Sequence, residues 1–168
     1  GEKYDFEVEQ ISAEEINDVS ISSTKIRNAL KEGNIILANE FLGYEYNLTG
    51  KVVKGKQLGR KIGYPTANVQ VTEAYKLIPG EAVYAAFAII DGQKHFGMLS
   101  IGTNPTLGEN PVTIEINIFD FSEDIYDKEI TIGFIDKIRD QEKFNSLEEL
   151  KQVLAQDKLQ TELIISRK

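Results

Sequence analysis

The chain has 168 residues, 41% of them apolar, enough for one domain with a buried core and against disorder. Nineteen Lys and Arg against 27 Asp and Glu give a net charge of −8, which excludes a general nucleic-acid or anionic-membrane surface. The absence of Cys excludes a disulfide framework, a thiol nucleophile and Cys-based metal sites, and the single His95 excludes any site built on two histidines.

Taken in chain order, a short extended start (Tyr4, Phe6, Val8) gives way to helical signals up to about residue 45. Ser12-Ala-Glu-Glu15 is a capping-box pattern, Ser22 or Ser23 can cap a helix running through Ala29-Leu30, and Gly33 and Gly43 bracket another from Asn34 to Leu42. From Asn47 the period changes. Leu48 to Val53, Ala67 to Val71, Val83 to Ile90, His95 to Ile101, Val112 to Phe119 and Ile130 to Ile138 read as strands. Turn signals separate them: Gly59 and Gly63-Tyr-Pro65, Pro79-Gly80, Asp91-Gly92, Asn104-Pro105 with Gly108, and Asp124 to Lys128. Asp91-Gly92 is the strongest hairpin signal among them. Ser146-Leu-Glu-Glu149 restarts a helical pattern, with Leu147, Leu150, Val153 and Leu154 on one face. Six strands without helix-length connections exclude parallel crossovers, so the expected fold is a mainly β, six-stranded antiparallel barrel with a C-terminal helix and a helical N-terminal extension.

The charge is unevenly spread. No Asp or Glu occurs between Glu45 and Glu73, a stretch that holds Lys51, Lys54, Lys56, Arg60 and Lys61. Gly50-Lys-Val-Val-Lys-Gly55-Lys56-Gln57 nearly spells a P-loop, but Gln57 stands where a magnesium-binding hydroxyl is needed and a strand follows where a helix should begin. What remains is a set of glycines at four-residue spacing, Gly55, Gly59 and Gly63. They let backbone N–H groups approach an anion, with phosphate favoured by the interleaved cations; a solvated basic loop is the alternative. On the strand that follows, Thr66, Asn68 and Gln70 share one face. Thr66 and Asn68 are hard oxygen donors suited to Mg²⁺, or simply the wet face of a sheet. In Val112-Thr-Ile-Glu115-Ile-Asn-Ile-Phe119, an aliphatic row of Val112, Ile114, Ile116 and Ile118 turns Thr113, Glu115, Asn117 and Phe119 to the opposite face. Glu115 is then a rigidly placed carboxylate, either a general base or a solubilising surface group.

Other motifs have plain readings. His95 is structural or surface, Asp120-Phe121-Ser122 lacks the glycine of a kinase magnesium motif, and the sequon Asn47-Leu48-Thr49 carries no weight without secretion signals. No apolar run approaches the roughly 18 residues of a membrane span and Gly1-Glu2-Lys3-Tyr4-Asp5 lacks signal-peptide character. A soluble, cytoplasmic protein with no membrane and no nucleic-acid partner is expected.

Together, Gly55-x3-Gly59-Arg-x2-Gly63-Tyr-Pro-Thr-Ala-Asn68, Val83-Tyr84-Ala85, Gly97-x4-Ile101-Gly-Thr-Asn-Pro-Thr106, Thr113-Ile-Glu115, Phe119-Asp-Phe121, Lys137-Ile-Arg139 and Lys143-Phe144 resemble the riboflavin kinase family over about residues 47 to 160. The resemblance implies a Greek-key barrel that transfers the γ-phosphoryl of ATP to the ribityl 5′-hydroxyl of riboflavin, giving FMN and ADP. It implies that Gly55, Lys56, Gly59, Arg60, Gly63 and Pro65 bind the nucleotide and that Thr66 and Asn68 hold Mg²⁺, with Mn²⁺ or Zn²⁺ as alternatives. It further implies that Glu115 is the catalytic base and that Arg139 lies on the flavin side; an ion pair with Asp140 or Glu142 is the structural alternative for Arg139. Ala82 stands where the family usually has glycine, which would cost about 1 kcal/mol if that position needed positive φ.

Ile21-Ser-Ser-Thr-Lys-Ile-Arg27 resembles the closing motif of the FMN adenylyltransferase module that precedes the kinase in bacterial bifunctional FAD synthetases. Residues 1–45 are thus expected to be a helical remnant of that module and a linker, natively fused to a kinase barrel over 46–168. No histidine precedes His95, so the module's histidine-containing nucleotide motif is missing and no FAD synthesis is expected. The competing reading is a non-catalytic flavin- or nucleotide-binding regulatory barrel.

Overall fold

A computed structural model of the protein describes residues 22–103 and 112–168. The extended start, the Ser12 capping box and the Asn104-Pro105/Gly108 turn lie outside the described residues.

Two short helices come first, α1 (Ser23–Lys31) and α2 (Ile35–Leu42). Ser22 caps α1 by accepting from the Lys25 N–H at 3.2 Å, and Asn34 caps α2 by accepting from the Leu37 N–H at 3.2 Å. Gly43 ends α2 in the left-handed conformation, φ 83°. Six strands follow: β1 (Asn47–Val53), β2 (Ala67–Val71), β3 (Ala82–Ile90), β4 (Gln93–Thr103), β5 (Val112–Ile118) and β6 (Glu129–Arg139). A four-residue helix, α3 (Leu58–Lys61), interrupts the β1–β2 connection, and the 20-residue α4 (Leu147–Ser166) ends the chain.

The strands close into an antiparallel barrel in the order β1-β2-β5-β4-β3-β6, with β6 returning to pair with β1. Closure removes exposed sheet edges. Between β3 and β4, Asp91 and Gly92 have φ of 51° and 82° and are flanked by the pair Ile90↔Gln93, the two-residue turn that an Asp-Gly pair favours.

Alternation sorts side chains between the barrel interior and the outside. Ala82, Tyr84, Ala86, Ala88 and Ile90 of β3 point inward, as do Ile114, Ile116 and Ile118 of β5. Val112, the first of the expected aliphatic row, is partly exposed because it sits at the strand end. The outward Ala85 and Phe87 are also buried, in a second small cluster with Ile135, packed with Ile164 and Ile165 of α4. For that reason β3 is buried on nearly every residue rather than alternating. Ala82 lies in extended backbone opposite Ile101, so the strain anticipated there does not arise.

α1 and α2 pack against the barrel. Ala29, Leu30, Ile35 and Ala38 belong to the same core cluster as the inward strand residues. Asn39 ties the join: its Nδ2 donates to Phe134 O at 3.0 Å and its Oδ1 accepts from the Tyr46 N–H at 2.7 Å. The connection from β2 to β3 is pinned by two buried tyrosines, Tyr46 donating its hydroxyl to Leu77 O at 2.7 Å and Tyr84 to Gly80 O.

α4 departs from its expected stripe. Leu150, Val153 and Leu154 are half-buried, but Leu147 is 66% exposed, and the helix's two buried residues are polar, Asp157 and Thr161. An ion pair with the barrel, described below, anchors this helix in place of a purely apolar seam.

Candidate functional site

The pleat of β2 and β5 brings the candidate polar residues together on the outside of the barrel. Asn68 is directly opposite Glu115, Glu115 opposite Ser100, Ser100 opposite Val83, and Val83 opposite Arg139. Residues in register across neighbouring strands share a face, so Asn68, Glu115, Ser100 and Arg139 form one lateral row. Thr66, just before β2, donates its hydroxyl to Glu115 Oε1 at 3.0 Å. Asn117, two residues beyond Glu115 on the same face, is buried and donates from Nδ2 to Pro65 O at 2.6 Å, which fixes the entry into β2.

The glycine segment is not an open loop. Gln57 adopts φ 57° and starts α3, and the carbonyl of Gly59 accepts from both the Ile62 N–H (3.1 Å) and the Tyr64 N–H (2.8 Å). Gly63, φ 89°, donates its N–H to Arg60 O at 3.3 Å. The amides of Ile62, Gly63 and Tyr64 are therefore engaged within the turn, and Gly63 serves the chain reversal. A Cβ on Gly59 would lie 2.1 Å from Tyr64 O, and one on Gly55 would lie 2.0 Å from Asn68 Nδ2. Gly55 thus seats the Asn68 amide under the loop. Lys56 is exposed. Lys54 lies 5.6 Å from the centre of the Tyr126 ring, whose hydroxyl accepts from Gln57 Nε2 at 3.2 Å, docking the glycine segment onto the β5–β6 connection.

Two cavities flank these residues. One, of about 500 Å³, is framed by Arg60, Pro65 and Thr66 on one side and by Phe121, Ile125 and Tyr126 on the other. The second, of about 430 Å³, lies between the barrel and α4; Met98, Phe144, Leu150 and Leu154 give it apolar walls, while Glu115, Ser100, Arg139 and Gln141 supply polar groups. Thr66 lines both. Glu115 lines only the cavity against α4, so Thr66 is the residue through which it adjoins the other cavity.

Arg139 reaches neither Thr66 nor Asn68. Its Nε donates to Asp157 Oδ1 and Oδ2 at 3.0 and 3.1 Å, its Nη2 to Asp157 Oδ2 at 2.9 Å, and its Nη1 to Asp140 O at 3.1 Å. Glu142 is further off at 3.7 Å, and the guanidinium lies 5.6 Å from the centre of the Phe144 ring. Asp157, 18 residues away on α4 and buried, is thus the main partner rather than Asp140 or Glu142. The fork geometry of two donors on one carboxylate holds the guanidinium plane at the cavity edge. Asp157, Asn117 and Gln141 carry no motif, and their roles depend on contacts 18 to 59 residues away.

Among the described residues no group of three or more His, Cys, Asp or Glu side chains could hold a metal. The available donors are the neutral oxygens of Thr66 and Asn68 beside the Glu115 carboxylate. Two hard protein oxygens, with the remaining positions left to phosphates and water, fit Mg²⁺ or Mn²⁺; Zn²⁺ prefers nitrogen and sulfur. No helix among the described residues is long and apolar enough to cross a membrane.

Comparisons with known proteins bear on the family and the fold. The family model described as flavokinase, riboflavin kinase, matches residues 42–165. The bifunctional riboflavin kinase/FMN adenylyltransferase of Listeria monocytogenes is 40% identical over 163 residues, 96% of this chain and 52% of that protein. A crystal structure from Streptococcus pneumoniae titled as a macrolide-efflux protein superposes with a TM-score of 0.82 at 38% identity, over 87% of this chain and 48% of that one. A riboflavin kinase from Trypanosoma brucei shares the fold, with a TM-score of 0.50 at 24% identity over 71% of this chain and 79% of that one. The barrel described above is that of a riboflavin kinase-like fold. The chain belongs to the riboflavin kinase family. It spans about half the length of the curated relatives it matches.

Proposed function

We propose that this chain is an ATP-dependent riboflavin kinase, forming FMN and ADP in the cytoplasm. The observation that carries the reading is the Thr66–Glu115 hydrogen bond of 3.0 Å, which joins a carboxylate of the α4 cavity to a hydroxyl that lines both cavities, where a donor and an acceptor substrate can meet. In this reading the apolar cavity against α4 takes the isoalloxazine, with the ribityl chain directed along the lateral row toward Glu115. The nucleotide occupies the other cavity, against Arg60 and Pro65, with Gly55, Lys56 and Gly63 contributing to the shape and charge of the adjoining segment, while Gly59 lines the cavity against α4.

Glu115 accepts the hydrogen bond of the ribityl 5′-hydroxyl, orients its oxygen toward the γ-phosphorus and takes its proton as the new O–P bond forms and the bond to the ADP oxygen breaks. Thr66 and Asn68 are the residues that would hold Mg²⁺, which supplies charge neutralisation on the phosphates. The work left to the protein is alignment, and a rigid strand pair delivers it.

We further propose that residues 1–45 derive from the tail of an FMN adenylyltransferase module and that 46–168 form the kinase barrel. Support comes from the family match, which begins at residue 42, and from the bifunctional names of the relatives. Incubation with Mg-ATP and riboflavin, followed by separation of FMN from FAD, tests both parts. FMN alone is expected. FAD would overturn the proposed lack of adenylyl transfer, and neither product would leave a binding barrel in place of a kinase.

A further inference from the structure

The rim of the cavity against α4 carries a polar pair, the exposed Gln141 and the half-buried Ser100, for which the proposed chemistry has no use. Gln141, just after β6, donates from Nε2 to Ser100 Oγ at 2.7 Å and to Ile101 O at 2.9 Å, with Ala82 O at 3.4 Å. Backbone carbonyls only accept, so they fix which end of the amide is nitrogen, and the Gln141 carbonyl oxygen must face away from β3 and β4. That oxygen has no hydrogen-bond partner among the described residues. Ser100 Oγ, accepting from Gln141, keeps its own proton free to donate. Both residues line the cavity. The pair therefore presents one fixed acceptor and one free donor side by side, the complement of an alcohol, which donates and accepts at once.

Position identifies which alcohol. Ser100 is directly opposite Glu115, one strand away or about 4.8 Å, whereas Arg139 is two strands further along the row, roughly 10 Å beyond Ser100. A five-carbon chain spans roughly 5 Å from its first to its last carbon, at about 1.5 Å per bond and tetrahedral zigzag. With the terminal hydroxyl at Glu115, the internal hydroxyls of the chain lie over Ser100 and Gln141, and the ring begins toward Arg139.

We infer that Ser100 and Gln141 read the internal hydroxyls of the ribityl chain and make the site selective for a polyol-bearing flavin over one whose chain carries only the terminal alcohol. This rests on the kinase reading for the placement of the chain. The physical basis is asymmetric: a flavin that covers this exposed pair removes its water, so an analogue without the hydroxyls leaves the protein's own polar groups unpaired.

The test compares riboflavin with 10-(5-hydroxypentyl)isoalloxazine of the same ring substitution, by flavin fluorescence titration and by steady-state phosphorylation. Wild-type protein is expected to bind riboflavin at least about tenfold more tightly. Ser100→Ala and Gln141→Met should each weaken riboflavin by about tenfold, change the analogue by no more than about twofold, and leave the KM for ATP unaltered. Ser100→Thr, which keeps the hydroxyl, should retain the preference. Equal wild-type affinity for the two flavins, or parallel weakening of both in the variants, overturns the inference. Because binding is read without turnover, the two readings fail separately: a selective protein that makes no FMN sinks the kinase and keeps the polyol site, and an unselective one that makes FMN does the reverse.

Discussion

Thr66 and Glu115, 49 residues apart in sequence, meet through a single 3.0 Å hydrogen bond in which the threonine is the donor. A threonine hydroxyl has one proton and two lone pairs, so giving the proton to Glu115 leaves both lone pairs for a cation. One side chain thereby links the proposed metal position to the proposed base.

Glu115→Gln should lower kcat by roughly 10²-fold with little change in the KM for ATP, since the amide keeps the size and loses the base. Thr66→Ala should raise the KM for Mg-ATP and lower kcat together, while Thr66→Ser stays near wild type. Combining Thr66→Ala with Glu115→Gln should cost less than the product of the single effects, because the two act as a unit. Steady-state kinetics across magnesium concentrations check this, and wild-type turnover in Glu115→Gln would remove that residue from the mechanism.

Gly55 and Gly59 should respond differently to alanine. The added Cβ at Gly55 meets the end of the Asn68 side chain at 2.0 Å, which can swing aside, so the fold survives and Mg-nucleotide affinity drops. At Gly59 it meets a backbone carbonyl, Tyr64 O, at 2.1 Å, so the α3 turn itself must rearrange. The expected order of nucleotide KM is wild type, Gly55→Ala, then Gly59→Ala, with thermal midpoints of Gly55→Ala and wild type within a few degrees. Equal KM values for all three would show that the segment does not meet the nucleotide.

Asp157→Ala removes the partner of a largely buried Arg139 and should destabilise by about 3 kcal/mol, the usual result of stranding one charge of a buried pair. Urea titration measures the loss. Riboflavin affinity should fall as the guanidinium leaves the cavity edge, with ATP affinity unchanged. Asp157→Asn, which still accepts a hydrogen bond, should lie in between.

Burial pushes the hydroxyls of Tyr46 and Tyr84 up to about 12 from an ordinary 10; at Tyr46 the Leu77 backbone opposes this and Tyr44 and Glu73 add to it more weakly, and at Tyr84 Asp140 adds to it. The folded state thus holds these protons more tightly than the unfolded chain does. Their stabilisation is complete below about pH 10 and is lost as pH rises from 10 to 12, because each ionised oxygen would face the carbonyl it had been donating to. Denaturation midpoints should decline over that range, and the decline should shrink in Tyr84→Phe, which itself loses about 1 kcal/mol at neutral pH. A flat profile in the wild type would contradict the assignment.

The elements were largely legible because their causes are local. Ser22, Asn34 and Ser146 each cap a helix through a bond three residues away, and Asp91-Gly92 turns a hairpin by its own φ preferences. The site was legible only in part. Spacing alone left Thr66, Asn68 and Glu115 open between a wet sheet face and a catalytic group, and it was the motif resemblance that chose among them. α3 was missed because a four-residue helix has no period to detect and starts from an unusual backbone angle at Gln57. Asp157 and Gln141 were missed for a different reason: the partners that define them lie on other elements, so nothing beside them in the chain signals the pairing.

The position of α1 and α2 bears on how such a protein can be divided. A cut chosen by family likeness would fall near Leu42, yet Leu30, Ile35 and Ala38 on its far side have their side chains among those of the strands. Removing them would uncover the Tyr46–Phe134 aromatic contact and strip Gly80 of the carbonyl of Leu30 that its N–H meets at 3.0 Å. The family match and the folded core therefore have different boundaries. A graft that moved this barrel to another host would have to carry residues 22–45 with it, whichever ancestor supplied them.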